Sequence, residues 1–438
     1  MSNNKQKTVA ITTLGCKVNQ YESASFISRF QELGAKIVPF SQSADIYIIN
    51  SCAVTGKAGA QSRQMIRRAL RTNPAAKVIA TGCYTQIAPQ EVQGLAEQPI
   101  HIIGNDKKDR LVDIALLDAP PDPLMLGDIA KTREICELPV QRFNGRTRAY
   151  LKVQDGCNNF CSYCIVPYTR GRVRSLPTPQ VLEQVKVFAS EGYKELVLTG
   201  IHVGMYGSDL ADSSSLFELV KLLNEAPYDL RYRISSLEPA ELHNNLLNYL
   251  AQADKFMPHF HLPLQSGDPH ILKKMNRRYT VKEFTQVVNN IVEVMPQAAI
   301  GLDIVIGFPG EDEKMFQNTY KLIESLPISY LHVFPYSKRP GTPAAQMANQ
   351  VPESIKKERA ARLRELDHKK RTSFYNRQIG VTHRVLAENK RNSFKMMSGF
   401  SENYVPIYFQ APPSAANTIV QVKVERIMDK NVFGHTEP

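Results

Sequence analysis

Short β-branched runs alternate with amphipathic stretches along most of the chain. The first runs are Thr8–Thr13, Asp45–Asn50 and Lys77–Thr81, and between them lie segments of helical periodicity at 21–33 and 59–71. This alternation predicts a parallel sheet covered by helices on both faces. The pattern lapses at Asp118-Ala-Pro-Pro-Asp-Pro123, which reads as a linker. It resumes with six runs at 149–154, 194–199, 230–235, 257–262, 298–306 and 329–334, interleaved with helical patterns such as 179–190, 217–224, 282–294 and 315–325. Six βα units with short connections predict a curved, partly closed (β/α)6 barrel. A charged helix is expected over 354–377; beyond Gly380 only strand patterns remain, at 381–387, 404–409 and 418–427. That tail has the size of a small OB-like β-barrel. The expected class is α/β, divided at 1–118, a linker 119–145, a barrel 146–375 and a β-module 376–438.

Composition narrows this picture. With 438 residues, 43% hydrophobic and 22% charged, the chain suits a soluble protein of several domains. The opening Met1–Lys7 is polar, and no apolar run is long enough for a signal peptide or a membrane span, so a cytoplasmic protein without a membrane partner is expected. In that reducing compartment the seven cysteines suggest metal ligation or redox chemistry rather than disulfides. The net charge of +12 suits a polyanionic partner.

Three of those cysteines form one compact motif. Cys157-Asn-Asn-Phe-Cys161-Ser-Tyr-Cys164 follows the strand at 149–154 and has the spacing C-x3-C-x2-C. Three thiolates so spaced can hold one face of a four-iron cubane and leave the fourth iron open. Their loop ends a barrel strand, where such folds place their chemistry. A structural zinc site is the alternative, and it requires a fourth ligand from a distance, such as Cys136.

Cys16, Cys52 and Cys83 lie 36 and 31 residues apart. Each stands just past an apolar strand, in Thr12-Thr-Leu-Gly-Cys16, Ile49-Asn-Ser-Cys52 and Ala80-Thr-Gly-Cys83. Parallel strands share one carboxyl edge, so these thiols should converge there. One such cysteine would be a small buried hydrophobe; three in the same topological position indicate a shared site, again with an open iron. Cys136 reads as a plain thiol. His259 and His261 alternate on a strand and read as barrel-core or polar-network residues.

The C-x3-C-x2-C motif, with aromatic Tyr163 before its last cysteine, resembles the radical S-adenosylmethionine (SAM) superfamily. The resemblance implies SAM bound at the open iron, with contacts at strand ends: Tyr163 beside the cluster, Gly200 in Leu198-Thr-Gly200, Ser235, Ser236 and Glu238, and Gly307 and Pro309 in Asp303–Gly310. A radical SAM barrel preceded by a flavodoxin-like domain with three cysteines is similar to the methylthiotransferase family. The tail is similar to the TRAM RNA-binding domain. Family likeness implies two [4Fe-4S] clusters, one on Cys16, Cys52 and Cys83 and one on Cys157, Cys161 and Cys164, and assigns no catalytic residue beyond these ligands.

Leu14-Gly-Cys-Lys-Val-Asn-Gln-Tyr21, Asn50-Ser-Cys-Ala-Val-Thr55 and Gly82-Cys-Tyr-Thr-Gln86 resemble the subfamily acting on N6-threonylcarbamoyladenosine next to the anticodon. Isopentenyladenosine enzymes tend to carry Gly-Cys-Gln-Met-Asn at the first site, and ribosomal-protein aspartate enzymes Gly-Cys-Pro-Lys-Asn. Those targets are the alternatives, with a non-catalytic zinc-containing RNA-binding protein more distant. The implied partners are a tRNA anticodon loop, an external electron donor and a source of sulfur. Phosphate contacts are expected from 356–377, Arg63–Arg71, Arg384, Lys390 and Arg391. Tyr404, Tyr408 and Phe409 offer rings for base stacking, and at strand spacing at least half of them are expected in the core.

Overall fold

The structure is a computed structural model that describes residues 6–118, 122–212, 214–391 and 396–437. Its first unit is a six-stranded parallel sheet of β1 (Thr8–Thr13), β2 (Lys36–Val38), β3 (Ile46–Ser51), β4 (Lys77–Gly82), β5 (His101–Ile103) and β6 (Leu124–Met125). The order is β2-β1-β3-β4-β5-β6, so the chain reverses direction across the sheet between β1 and β3. Such a switch point opens a crevice at the carboxyl edge. Strand β3 is buried throughout, which its unbroken Ile-Tyr-Ile-Ile run allows. Helices α1 (Lys17–Glu32), α2 (Gly56–Thr72) and α3 (Cys83–Ile87) follow β1, β3 and β4. Strand β6 falls inside the stretch read as linker and pairs with β5.

The second unit is a partial barrel. Strand β7 (Ala149–Lys152) leads into β8 (Gln154–Asp155), which pairs with β9 (Arg174–Ser175) and closes off the cysteine loop between them. The barrel continues through β10 (Glu195–Thr199), β11 (Arg231–Ile234), β12 (His259–Gln265), β13 (Ala299–Ile306) and β14 (Tyr330–Pro335). These are the six expected strands, arranged as two parallel three-stranded sheets, β11-β10-β7 and β12-β13-β14. A bridge from Tyr232 to Phe256 and the Leu237 N–H donating to the His261 carbonyl (3.0 Å) span the seam. Outward residues such as Leu262, Ile300, Leu302 and Ile304 are fully buried in the core. The lumen is polar, because Glu195, Arg233, His259, His261 and Asp303 occupy its side of the strands.

The two units share one core. Tyr21 of α1 packs 6.3 Å from the Phe143 ring, which packs 6.0 Å from Phe188 of the barrel. Aromatic burial on that scale makes the interface a continuation of the interior.

The helix Glu353–Asn376 lies along β14 and buries Leu363 and Leu366. Much of its basic charge is already engaged: Arg359 pairs with Glu311 at 2.7 Å, Arg362 with Glu313 at 2.9 Å, and Arg371 with Asp367 at 2.9 Å. The chain ends in a closed barrel, β15 (Thr382–Arg391), β16 (Met397–Phe400), β17 (Pro406–Phe409), β18 (Ile419–Met428) and β19 (Asn431–Thr436). It caps the amino-terminal mouth of the larger barrel. Arg231 donates to the Arg384 and Phe400 carbonyls at 2.8 and 2.9 Å, and Arg233 to the Glu402 carbonyl at 2.9 Å.

Two of the three tail aromatics are packed inside, in line with their strand spacing. Tyr404 is wedged between Phe400 and His259, each 4.7 Å away, and Phe409 is fully buried in the small barrel's core. Neither ring is free for a base. The Tyr408 ring packs against Phe433 at 5.7 Å. The side chains of Lys390 and Arg391 lie outside the described residues. Among the described residues no helix is long and apolar enough to cross a membrane.

Candidate metal centres at the domain interface

Glycines bring the scattered cysteines together. Cys16 caps α1, Cys52 follows β3, and Cys83 opens α3, so all three stand at the carboxyl edge of adjacent strands. Gly15 has φ +97°, and a Cβ there would lie 2.8 Å from both Cβ and Sγ of Cys52. Gly82 has φ +95°, and a Cβ would strike the backbone of Ser51. Only glycine combines that backbone with so close an approach. Burial and the neighbouring Cys83 push the Cys52 thiol up to about 11, and loss of solvation raises Cys16 as well.

The compact motif is held as firmly. Gly156 (φ +74°) lets the chain pass the Arg172 carbonyl, and the Cys157 N–H donates to the Gly171 carbonyl at 3.0 Å. Phe160 adopts φ +47°, a left-handed conformation that a bulky residue keeps only where the surroundings impose it. The Asn159 N–H points at the Cys157 sulfur, 3.4 Å away. Burial and Cys161 push the Cys164 thiol up to about 12. The thiols of both groups are free, and thiols with pKa values this high become anionic at neutral pH when a metal draws off the proton.

Each group of three has an arginine on it. Arg277 donates to the Cys161 sulfur at 3.2 Å and pairs with Glu238. Arg170, six residues past Cys164, donates Nε to Cys83 of the other domain at 3.3 Å. Its two Nη groups are held by Glu22, Asn19 and Asp155. Lys108 also pairs with Glu22, and Lys152 with Asp155 at 2.8 Å. This buried network joins the two domains. Burial alone would raise Glu22, but Arg170, Lys108 and Lys152 outweigh it and hold the carboxyl at about 2. His202 places Nδ1 3.5 Å from the Cys157 sulfur and its other nitrogen on Glu241. Burial would lower that ring, but these two partners hold it up to about 10.

The spacing of the sulfurs bears on what they can hold. A single tetrahedral zinc keeps thiolate sulfurs about 3.8 Å apart, from metal–sulfur bonds of ~2.3 Å. Among the described residues, the one set of His, Cys, Asp or Glu ligand atoms all within 4.8 Å of one another is His261, Asp303 and His332. In the lumen, Asp303 accepts from His261 at 2.9 Å and His332 at 3.3 Å, and Tyr330 bridges His259 and His261 at 2.8 and 3.2 Å. The two strand histidines thus form a polar network, as read from the sequence.

The strand-end residues fall in varied surroundings. Gly200 follows β10, and a Cβ there would meet the Gln154 side chain at 2.8 Å. Ser235 and Ser236 follow β11 at the barrel's seam, where Ser236 Oγ donates to the His261 carbonyl at 3.3 Å. Glu238 is brought to Cys161 through Arg277. Tyr163 packs edge-on to Phe308 at 6.5 Å. The Gly307 N–H is taken by Glu311 at 2.8 Å and its α-carbon faces Lys356, while Pro309 is buried beside it. Cys136 stands apart, 3.5 Å from the Asn105 carbonyl. The residues that the sequence did not single out are Arg170, Arg277, His202 and Glu22, all charged or polar groups whose partners are distant in the chain.

Residues 151–323 match the Radical SAM superfamily, and residues 8–104 match Uncharacterized protein family UPF0004. The chain is 40% identical over 425 residues to the threonylcarbamoyladenosine tRNA methylthiotransferase MtaB of Bacillus subtilis (strain 168), covering 95% of this chain and 93% of that one. The protein of the same name from Aquifex aeolicus (strain VF5) is 41% identical, covering 91% of this chain and 96% of its own. A tRNA-2-methylthio-N(6)-dimethylallyladenosine synthase from Acetivibrio thermocellus is 32% identical, covering 98% and 91%. Among solved structures, the radical SAM methyltransferase TsrM from Kitasatospora setae has a TM-score of 0.55 at 14% identity, covering 78% of this chain and 77% of its own. That likeness concerns the fold alone.

Proposed function

Because the chain belongs to the threonylcarbamoyladenosine tRNA methylthiotransferase family of radical SAM enzymes, we propose that it works through two cysteine-held clusters facing one cavity. It is a transferase that attaches a methylthio group to threonylcarbamoyladenosine in tRNA. Radical SAM membership brings a [4Fe-4S] cluster and SAM. In our reading Cys157, Cys161 and Cys164 hold that cluster, and Cys16, Cys52 and Cys83 hold a second. Tyr163, Gly200, Ser235, Ser236, Glu238, Gly307 and Pro309 form the surroundings in which SAM is bound.

The observation that carries this reading is the Arg170 contact with Cys83. Arg170 ends the short helix Val166–Arg170 that follows Cys164, so the contact supports a second cysteine group close to the first. A [4Fe-4S] cluster held by Cys157, Cys161 and Cys164 would supply one-electron chemistry on SAM that no side chain can provide. The protein's own residues do the rest. Arg277 and Arg170 offset negative charge on the thiolates of their respective groups. Glu241 orients His202 against Cys157. The buried network about Glu22 fixes the domains at one separation, so the two groups cannot drift apart. The lumen between them is lined by polar groups that can orient an unpaired base extruded from an anticodon loop.

Nucleoside analysis of tRNA from a strain lacking the gene tests the activity. Loss of 2-methylthio-threonylcarbamoyladenosine with accumulation of its precursor is expected. An unchanged level of that nucleoside, or loss of the isopentenyl analogue instead, would overturn it.

A further inference from the structure

Among the described residues one phenylalanine is exposed, Phe334, with 47% of its surface open. A lone apolar side chain on an outer surface needs no explanation. Phe334 does not stand on an outer surface. Strand β14 alternates: Leu331 is buried in the core, whereas Tyr330, His332 and Phe334 share the opposite face. That face is the lumen, because Tyr330 bridges His259 and His261, and His332 pairs with Asp303 at 3.3 Å. Phe334 is one step further along it, toward the carboxyl ends of the strands.

The end of β14 is tied to both cysteine groups. Tyr336 packs 5.7 Å from Phe308, whose ring lies 6.5 Å from Tyr163, the neighbour of Cys164. Further on, the Ala344 N–H donates to the Ser162 carbonyl, inside the same cysteine loop, at 2.8 Å. Toward the other group, Ser337 Oγ accepts from the Gly56 N–H at 3.1 Å, four residues past Cys52. Phe334 precedes Tyr336 and Ser337 by two and three residues, so its backbone lies within about 11 Å of both attachments. It stands between the two groups, on the lumen side.

His332 completes a corner with it. The two rings stand 6.4 Å apart at 77°, and the half-exposed imidazole is fixed by Asp303, which His261 also holds. Two nearly perpendicular rings offer a flat guest a face to lie on and a wall to stop it. We propose that the purine base extruded from the RNA stacks on Phe334, with His332 as its stop. The proposal rests on the function argued above and names the residues that receive the substrate base. A base laid on the exposed phenyl supplies the contact that water does not. SAM also brings a purine, and the test separates the two sources.

Binding, rather than turnover, is measured on the full chain after anaerobic reconstitution with iron and sulfide. The probes are an anticodon stem-loop RNA carrying threonylcarbamoyladenosine, the same RNA with an abasic residue in its place, and SAM. Wild-type protein should bind the first RNA on the order of tenfold more tightly than the abasic one, as one base stacked on an aromatic ring is worth. Phe334→Ala should erase that preference, His332→Ala should reduce it severalfold, and Phe334→Tyr should keep it. All three should bind SAM as wild type does. A full preference in either alanine variant overturns the proposal, and so does loss of SAM binding in Phe334→Ala at undiminished iron. Comparing two RNAs on one protein cancels any loss of folded material. Should Phe334→Ala lose iron, equal wild-type binding of the two RNAs still refutes the idea. Wild-type protein that binds neither RNA overturns the functional reading beneath it as well.

Discussion

Arg170 sets its Nε 3.3 Å from the Cys83 sulfur, although the two residues are 87 positions apart and belong to different domains. The same guanidinium pairs with Glu22 of the sheet domain and Asp155 of the barrel. One side chain therefore serves a thiol, a domain interface and a charge network at once.

Replacing Arg170 with Met takes the shared guanidinium from Glu22 and Asp155 and leaves Lys108 and Lys152 alone to hold them in the interior. Breaking a buried pair this way costs about 3–5 kcal/mol. Thermal unfolding of Arg170→Met should show a loss of that size, and iron should leave the Cys16, Cys52 and Cys83 group before the barrel group. Wild-type stability with full iron would show that the contact is incidental.

The network also fixes the acid limit of the fold. Glu22 falls from its usual 4.5 to about 2 in the folded state, and Glu195, between Arg231 and Arg233, does the same. A carboxyl lowered on folding contributes stability that is complete above pH ~4.5 and drains away as pH falls toward ~2. Unfolding followed by urea should accordingly weaken steeply below pH 4.5. Glu22→Gln should be less stable at pH 7 and show a shallower loss on acidification. Stability that rises on acidification would contradict these assignments.

Gly15→Ala isolates the geometry of the first cysteine group. The substitution puts a methyl against Cys52 at a left-handed position, at a cost of about 1–3 kcal/mol. Reconstituted Gly15→Ala should bind fewer irons, with the deficit confined to the sheet domain. A Gly34→Ala control shares a positive φ, +79°, but has nothing within 4 Å of its would-be Cβ. It should keep full iron.

Arg277 offers a redox test. Removing a positive donor from a cluster ligand lowers the reduction potential. With Cys16, Cys52 and Cys83 changed to alanine, Arg277→Gln should shift the remaining cluster downward by tens of millivolts. An unchanged potential in EPR-monitored titration would mean that Arg277 serves Glu238 alone.

Much of this architecture could be read from the chain. The strands β1, β3, β4 and all six of the barrel stood out because each is an apolar run with a sharp end. The Gly-Cys pairs at 15–16 and 82–83 marked where two of those ends meet. Strands β2, β5, β6, β9, β16 and β19 were missed, since they are short or carry polar residues at half their positions. Arg170 and Arg277 could not be assigned, because nothing local announces a partner 87 or 116 residues away. The helix 356–377 read as a basic surface, yet Lys356 and Arg359 are buried within it. Tertiary packing decided which of its charges reach solvent. For Tyr404 the sequence left two roles open, since an aromatic at strand spacing can face RNA or the core, and packing against Phe400 and His259 decides for the core.

The central claim is that two separate cysteine groups each hold a cluster, and iron stoichiometry tests it most directly. Anaerobically reconstituted wild-type protein should carry about eight irons, and about four should remain after alanine replacement of either group, Cys16, Cys52 and Cys83 or Cys157, Cys161 and Cys164. Mössbauer spectra of the two triple variants should each show a [4Fe-4S] cluster. Stoichiometric zinc, or about four irons that vanish on mutating one group and are untouched by the other, would contradict the account.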